Sequence, residues 1–244
     1  MISFPQLGKM GRWGNCLFQI ATTVATAIER DEEVGLPADF PWRHVLNFPQ
    51  EWFRSDLHHS SEWREPKFSY APIPHEKDMA LHGYFQSERY FKRQEKTIRA
   101  AFGPDRPAQR GTCAIHVRRG DYLDNPAYHG ALPMSYYMNA VDTLTGRAAV
   151  TDWIVFSDDI MWCREKFRFA KFIDLPWPGA FQMMRFCDYH IIANSAFSWW
   201  AAWLRNNQDV PPICPDPSAW FGPLGPKDTQ DILPAHWKRV KVTA

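Results

Sequence analysis

Hydrophobic and polar positions in the carboxyl-terminal half of the chain alternate between two periodicities. Short apolar runs rich in β-branched and aromatic residues predict buried strands, and apolar residues three to four apart predict amphipathic helices. The predicted strands are 112–117, 151–156, 170–173, 189–193 and 212–214, and the predicted helices are 135–144, 160–167, 180–188 and 196–206. Because strands and helices of this length alternate, we expect a mostly parallel, doubly wound sheet with right-handed crossovers.

The amino-terminal half begins in the same way and then becomes irregular. Residues 1–5 predict a strand, a loop with three glycines follows, and apolar residues recur at helical spacing from Leu17 to Ile28. Asn15 is the expected cap of this helix. The other expectations are strands at 33–36 and 81–85, a helix at 87–102 capped by Ser87, and loops with short helices over the proline-rich stretch 37–74.

A polar, proline-bearing stretch at 104–111 separates these two patterns. We therefore expect two domains, 1–107 and 108–244. The chain has 244 residues and 45% hydrophobic content, which is sufficient for packed cores. The segment 228–240 predicts a closing helix that packs back on one of the halves.

Charge, cysteine content and hydropathy exclude several classes of protein. The chain has 28 Lys and Arg against 27 Asp and Glu, so it lacks the positive excess of a nucleic-acid-binding protein. Its five cysteines are odd in number and lack CxxC spacing, which favours a reducing compartment over a disulfide framework or a zinc site. The most apolar window, 181–204, is interrupted by polar residues and is too polar to span a bilayer. With no signal-peptide run at the amino terminus, we expect a cytoplasmic protein, either free or peripheral to the inner face of the membrane.

Two arginines and a histidine lie at the carboxyl end of the predicted strand 112–117. In an open α/β sheet ligands bind at that edge, and adjacent strand residues point to opposite faces. We therefore expect one of Arg118 and Arg119 to reach an anionic ligand and the other to pair with a carboxylate, because a guanidinium binds phosphate in a bidentate way. The alternative is that both are solvated and paired with Asp121. His116 is expected to contact a nucleobase or ribose, or to donate to a phosphate when charged.

A second strand-to-helix junction carries Asn194-Ser195-Ala196-Phe197-Ser198-Trp199-Trp200. Free amide N–H groups and the helix dipole at such a junction stabilise a pyrophosphate, and Ser195 or Ser198 could add a hydroxyl. The structural alternative is that Asn194 or Ser195 only caps the helix. We assign Trp199 and Trp203 to the core.

A third junction carries Asp158 and Asp159. Paired carboxylates are typical of Mg²⁺ sites, but Asp159 directly precedes a predicted helix, which is where a capping acid belongs. We therefore favour a structural function with a base or ribose contact over a metal site. No GxSxG elbow occurs, so acyl transfer has no support.

Four sequence blocks, taken together and in order, resemble glycosyltransferase family 11, the α-1,2-fucosyltransferases, within the fucosyltransferase superfamily that carries an HxRRxD-type motif. The blocks are Gly11-Arg12-Trp13-Gly14-Asn15-Cys16-Leu17-Phe18-Gln19, His116-Val117-Arg118-Arg119-Gly120-Asp121, Phe156-Ser157-Asp158-Asp159 and Asn194-Ser195-Ala196-Phe197-Ser198-Trp199-Trp200. A further segment, Gly83-Tyr84-Phe85-Gln86-Ser87-Glu88, extends the resemblance over most of the chain.

This resemblance implies a fold, a reaction and two partners. The fold is α/β and GT-B-like, with two Rossmann-like parallel-sheet domains that face a cleft, an acceptor-side domain at 1–107 and a GDP-fucose-binding domain at 108–244. The reaction is inverting transfer of L-fucose from GDP-fucose to a galactose-containing glycan. No metal and no other cofactor is expected.

The resemblance also implies functions for individual residues. It assigns catalysis to Arg118, which would neutralise the β-phosphate of the departing GDP, and to Asp121, which either acts in catalysis or orients Arg119. The donor-binding residues are His116, Arg118, Arg119, Asp158, Asn194, Ser195, Phe197 and Ser198, and the acceptor-side residues are Gly14, Asn15 and Gln19. The chain departs from the family pattern at Arg12, Cys16 and Ala196.

Three other functions compete with this hypothesis. A GDP-fucose-dependent enzyme could form another linkage or use another acceptor. The departures from the family pattern are also compatible with a catalytically silent module that binds a sugar or nucleotide. The third alternative is a metal-dependent phosphohydrolase built on Asp158 and Asp159.

Overall fold

The computed structural model describes residues 1–103, 107–207 and 209–243, which form two compact units. The first unit contains Met1–Asp105 together with Gln230–Ile232, and the second contains Arg106–Thr229 and Leu233–Ala244. The predicted boundary stretch 104–111 includes residues 104–106, which lie outside the described residues. The boundary after residue 107 therefore stays a prediction.

The first unit is built on a five-stranded parallel sheet. Its elements are β1 (Ile2–Ser3), α1 (Trp13–Arg30), β2 (Val34–Pro37), β3 (Phe53–Arg54), β4 (Ser61–Arg64), β5 (Met79–His82) and α2 (Glu95–Ala101). The strand order is β3-β2-β1-β5-β4, and every pair is parallel. Single turns of 3-10 helix occur at Gln50–Trp52, Glu88–Tyr90 and Lys92–Gln94.

Helix α1 packs on this sheet through the apolar face that the sequence predicts. Leu17, Ile20 and Val24 are completely buried, and their spacing of three and four residues places them on one side of the helix. The predicted cap is wrong: the helix begins at Trp13, so Asn15 lies within its first turn, and Arg12 at the cap position makes no side-chain capping bond.

Two other predictions for the first unit need correction. The stretch 37–74 contains strands β3 and β4, where only loops and short helices were expected. The expected helix 87–102 is divided into two 3-10 turns and α2, although Ser87 does cap the first turn by accepting a hydrogen bond from the Arg89 N–H. Because β3 has only two residues, no alternation of polar and apolar positions could reveal it.

The second unit is built on a six-stranded parallel sheet. Its elements are β6 (Gln109–Val117), α3 (Gly120–Asp124), α4 (Met134–Thr145), β7 (Asp152–Ser157), α5 (Ile160–Lys166), β8 (Lys171–Ile173), α6 (Trp177–Arg185), β9 (Cys187–Ile191), α7 (Ala196–Trp203), β10 (Ile213–Pro215) and β11 (Lys238–Val240). The order is β11-β10-β9-β6-β7-β8. If the strands of this unit are renumbered from 1 for β6 to 6 for β11 and read from the β8 edge, the order is 3-2-1-4-5-6, which is the Rossmann order. The predicted doubly wound sheet is therefore confirmed.

Buried side chains cover both sides of the second sheet. Ile115 and Val117 of β6 pack in one cluster with Tyr136 and Tyr137 of α4. Helix α7 contributes three buried tryptophans, of which Trp199 and Trp203 are stacked with 6.2 Å between ring centroids. The assignment of these two tryptophans to the core is confirmed.

The predicted closing helix at 228–240 is wrong. Residues 238–240 form β11, which pairs in parallel with β10 and completes the sheet. Pro234 lacks a backbone N–H, so it cannot continue a helix through this segment. The preceding residues Gln230–Ile232 belong to the first unit, where Asp231 accepts hydrogen bonds from the Tyr70 N–H and from Arg89 Nη1, each at 3.1 Å.

None of the helices in the described part of the chain is both long and apolar enough to span a membrane.

Candidate functional site

The candidate site lies where the strand order of the second sheet reverses, between β6 and β9. Ile115 of β6 is in register with Ile191 of β9, so the segments that follow both strands lie side by side. His116 and Ser198 meet there, with 2.8 Å between Nδ1 and Oγ. In a doubly wound sheet this reversal is the place where ligands bind.

His116 is buried at the centre of this edge. Its ring lies 5.6 Å from that of Phe197, which in turn contacts Phe181. Burial, reinforced by the positive charge of Arg118, lowers the pKa of His116 to about 3. The imidazole is therefore neutral at pH 7, which favours the predicted base or ribose contact over a charged contact with phosphate.

Arg118 pairs with two carboxylates. Its Nη1 lies 2.8 Å from Asp158 Oδ2, and its Nη2 bonds Asp121 Oδ1. The guanidinium also lies 5.4 Å from the centre of the Tyr122 ring. Asp121 lies on the first turn of α3 and bonds Arg118, three residues before it in the sequence. Orientation of Arg119 by Asp121 stays a prediction.

Arg119 has its own partners on the next junction. Its Nε lies 3.0 Å from Asp159 Oδ2, and its guanidinium stacks 3.9 Å over the Trp162 ring. Both arginines thus pair with a carboxylate, because Asp158 takes Arg118 and Asp159 takes Arg119. Which of the two reaches an anionic ligand stays a prediction. Asp159 also caps α5 by accepting from the Trp162 N–H at 3.2 Å, as predicted.

Asp158 and the start of α3 are packed closely together. Asp158 Oδ1 accepts a hydrogen bond from the Arg119 N–H at 2.9 Å, and a Cβ atom at Gly120 would lie only 2.8 Å from Asp158 Oδ2. Two arginines face three aspartates in this cluster, so its formal charge is negative. A phosphate that binds Arg118 must therefore compete with Asp121 or Asp158.

Asn194, which follows β9, forms hydrogen bonds with two loops. Its Nδ2 donates to the carbonyl oxygens of Gly130 at 2.9 Å and Trp220 at 3.0 Å, and its backbone carbonyl oxygen accepts from the Tyr122 hydroxyl at 2.9 Å. The side chain is almost completely buried. These contacts occupy its N–H groups, so a contact with the donor nucleotide stays a prediction. No local sequence pattern indicates this function, because the three partners named here are 26, 64 and 72 residues away.

Ser195, Phe197 and Ser198 form the start of α7. Ser195 occupies the predicted cap position, where its side chain accepts from the Phe197 N–H at 3.4 Å. Ser198 is buried and also donates to the Ser195 carbonyl oxygen at 3.4 Å. The junction thus presents a helix amino end beside His116, and its use as a pyrophosphate site stays a prediction.

The residues assigned to the acceptor belong to the first unit. Gly14 and Gln19 are buried, and Gln19 Nε2 donates to the carbonyl oxygens of Met10 and Gly83, each at 3.2 Å. Asn15 is half-buried, and its Oδ1 accepts from Gln86 Nε2 at 2.7 Å. Gln86 was given no function from the sequence, although it stands in a segment that carries the family resemblance.

The described residues contain no group of three or more His, Cys, Asp or Glu side chains that could hold a metal ion. All five cysteines are free and buried. Asp158 and Asp159, the aspartates of the metal alternative, are engaged with Arg118 and Arg119 instead.

Comparison with known proteins identifies a family and several relatives. The model of the family described as "Glycosyl transferase family 11" matches residues 44–221, well over half of the chain. The chain is 34% identical over 182 residues to the Alpha-1,2-colitosyltransferase of Escherichia coli, which covers 65% of this chain and 61% of that protein. It is 26% identical over 182 residues to the Galactoside alpha-(1,2)-fucosyltransferase 1 of Leontocebus fuscicollis, which covers 70% and 45%.

A solved structure described as NodZ alpha-1,6-fucosyltransferase soaked with GDP-fucose has a TM-score of 0.44 and 10% identity, with 84% of this chain and 92% of that chain covered. The chain spans less than two thirds of the length of the two relatives named above. The glycine loop and the first helix lie outside the range that the family model matches.

Proposed function

Because the chain belongs to glycosyl transferase family 11, we propose that it is an inverting, metal-independent fucosyltransferase that moves L-fucose from GDP-fucose to the 2-hydroxyl of a galactoside acceptor. The names of two relatives support an α-1,2 linkage, and one of them specifies a galactoside acceptor. The proposed partners are accordingly GDP-fucose and a galactose-containing glycan.

The observation that carries this proposal is the position of Arg118 at the reversal point of the second sheet. Arg118 follows β6, and the amino end of α7 follows the adjacent β9. A guanidinium and free helix N–H groups both suit a diphosphate. Buried, neutral His116 and its neighbour Phe197 suit the uncharged guanosine.

The proposed chemistry is a single displacement at the anomeric carbon of fucose. The acceptor oxygen forms a bond to that carbon, the bond from the carbon to the β-phosphate oxygen breaks with its electron pair, and the acceptor proton passes to a base. Negative charge grows on the departing GDP, and a preorganised cation stabilises the transition state most where that charge develops. We assign this function to Arg118, and we assign Asp121 either to the proton or to the orientation of Arg118.

A second candidate donor is suggested by the E. coli relative, whose name specifies colitosyl transfer with the same linkage. The identity of 34% to that relative exceeds the 26% to the galactoside fucosyltransferase. The reaction type and the proposed functions of Arg118 and α7 would be the same. The sugar carried by the nucleotide is therefore the first variable to test.

A transfer assay separates these functions. GDP-fucose and a nucleotide-activated colitose would each be supplied with a panel of β-galactosides in the presence of EDTA, and nucleotide release and product mass would be followed together. We expect a product heavier by one fucose, with a 2-linkage. Nucleotide release without product would indicate hydrolysis, and nucleotide binding without turnover would favour a silent module. Loss of all activity in EDTA, restored by Mg²⁺, would contradict metal independence.

A further inference from the structure

One side-chain amide of the first unit is held in a fixed orientation by another. Gln86 Nε2 donates to Asn15 Oδ1 at 2.7 Å, and Gln86 is only 7% exposed whereas Asn15 is half-buried. Because the carbonyl oxygen of Asn15 receives this bond, its Nδ2 group is turned away from Gln86. Gly11 makes room for that amide: a Cβ atom there would lie 2.7 Å from Asn15 Cγ.

The loop that carries Gln86 adopts a conformation that its sequence disfavours. Phe85 has a φ of 53°, in the left-handed region that a bulky side chain rarely adopts. Such a conformation is energetically unfavourable and persists only when surrounding contacts impose it. The Phe85 ring is completely buried, which provides one such constraint.

Glu65 provides the second constraint. Its carboxylate accepts hydrogen bonds from the Tyr84 N–H at 2.8 Å, from the Phe85 N–H at 3.1 Å and from the Tyr90 hydroxyl at 3.3 Å. Gly83 permits this approach, because a Cβ atom there would lie 2.8 Å from Glu65 Oε2. Hydrogen bonds to a charged group are stronger than neutral ones, so Glu65 compensates for the strained turn.

We propose that Glu65 and Gln86 are positioning residues, which orient the Asn15 amide so that its N–H donors face an oxygen of the sugar substrate. The inference rests on the proposed function, because it is the transfer reaction that places a sugar against Asn15. The sugar is either the acceptor or the fucose of the donor, and both present hydroxyl oxygens. Glu65 and Gln86 touch no substrate themselves and act through Asn15.

The first test is a double-mutant cycle. We expect Gln86→Ala to lower kcat/KM about tenfold or more, and Asn15→Ala to lower it at least as much. The double variant should be no worse than Asn15→Ala, because a residue that acts through Asn15 has no effect without it. If Gln86 only filled the core, the two losses would multiply, and that result would overturn the proposal.

Two further variants test the direction of the amide. Asn15→Asp can still accept from Gln86 but has no N–H to offer, so it should lose as much activity as Asn15→Ala. Gln86→Glu cannot donate to Asn15 Oδ1, so it should be at least as impaired as Gln86→Ala. Full activity of Asn15→Asp would contradict the proposal. Gln50→Ala is the matched control, because Gln50 is an exposed glutamine of the same unit that bonds the Phe48 carbonyl oxygen.

The kinetic constants of the Asn15 and Gln86 variants show whether Asn15 contacts the acceptor or the fucose of the donor. A rise in the KM for the acceptor, with the inhibition constant of GDP unchanged, indicates contact with the acceptor. A rise in the KM for GDP-fucose, again with unchanged GDP inhibition, indicates contact with fucose. Unchanged constants for both substrates would overturn the proposal.

A measurement on the free protein keeps this inference separate from the proposed function. With ¹⁵N-labelled asparagine, the side-chain resonance of Asn15 should shift in Gln86→Ala and in Glu65→Gln, but not in Glu62→Gln. Glu62 lies on β4 as an exposed residue paired with Arg64, so it controls for the loss of a carboxylate close to Glu65, which directly follows that strand. An unshifted Asn15 signal overturns the positioning, whereas an inactive wild-type enzyme contradicts only the proposed function.

Discussion

Arg118 and Asp158 form an ion pair with 2.8 Å between Nη1 and Oδ2, and Asp121 bonds the other terminal nitrogen of the same guanidinium. The cation that we assign to the departing phosphate is thus paired with two carboxylates. These carboxylates fix the position of the guanidinium, and they also compete with any anion for its N–H groups. In the proposed function, donor binding would exchange these carboxylate partners of Arg118 for phosphate oxygens.

Replacement of Arg118 tests its proposed function most directly. We expect Arg118→Ala to lower kcat/KM at least about a hundredfold, because a charge contact made in the transition state is lost. Arg118→Lys should recover little, since a point charge does not reproduce the bidentate fork. GDP release would be followed, with Arg64→Ala as the control because Arg64 is a largely exposed arginine. Activity within a few-fold of wild type in Arg118→Ala would exclude the assigned function.

Asp121→Asn distinguishes two effects of Asp121, which are competition with GDP for Arg118 and acceptance of the acceptor proton. Removal of one negative charge beside Arg118 should tighten GDP binding by about 1 kcal/mol, or roughly fivefold, because a partly solvent-exposed ion pair contributes about that much. The same change should lower kcat if Asp121 accepts the acceptor proton. Calorimetric titration with GDP and steady-state kinetics would measure the two effects. The control is Asp124→Asn, an exposed change on the same helix. Weaker GDP binding by Asp121→Asn would show instead that Asp121 orients Arg118 for the phosphate.

The free energy of unfolding should decrease as the pH falls below about 6.5. Burial, with a smaller contribution from Arg118 or Arg205, lowers the pKa values of His116 and His190 to about 3. The unfolded chain therefore binds more protons than the native protein between pH 6.5 and 3, so the stabilisation is complete above pH 6.5 and is lost on acidification. Each histidine contributes a slope of about 1.4 kcal/mol per pH unit within this range.

Urea unfolding between pH 7 and pH 5 measures this slope. His116→Asn should reduce it by about the contribution of one histidine, whereas replacement of the exposed His75 by Asn should leave it unchanged. A slope that is the same in His116→Asn and in the wild type would contradict the buried, neutral state of His116.

Asn194 should affect stability more than nucleotide affinity. Asn194→Ala removes the hydrogen-bond donor of the buried Trp220 carbonyl oxygen and of the partly buried Gly130 carbonyl oxygen, which should cost about 1–3 kcal/mol in the free energy of unfolding. Asn139→Ala, an exposed change on α4, is the control. A large loss of GDP affinity by Asn194→Ala at unchanged stability would favour the donor-binding function that the family resemblance implies.

The second unit was the more predictable half because its strands are longer and are separated by helices. Strand β6 has nine residues and β7 has six, so each shows a clear apolar run. In the first unit β1 and β3 have two residues each and are defined by their backbone pairing with neighbours. A pattern of side chains carries no information about such short pairings.

The sequence was sufficient to predict which residues lie at the candidate site, but not which carboxylate pairs with which arginine. The carboxyl end of a parallel strand marks His116, Arg118 and Arg119 as candidates, because the chain direction alone brings them to the ligand edge. Which carboxylate meets which arginine depends on the approach of Asp158 and Asp159, 40 residues along the chain. The contact between Gln86 and Asn15 spans 71 residues and was likewise beyond local pattern.

The return of Gln230–Ile232 to the first unit has a practical consequence for dissecting this protein. A polypeptide that ended near residue 103 would lack Asp231, and with it the acceptor of the Tyr70 N–H and the partner of Arg89. The complementary polypeptide would carry those three residues without their neighbours. The two units are therefore interleaved in the covalent chain, and a single proteolytic cut near residue 103 separates the first unit from three residues that its fold uses.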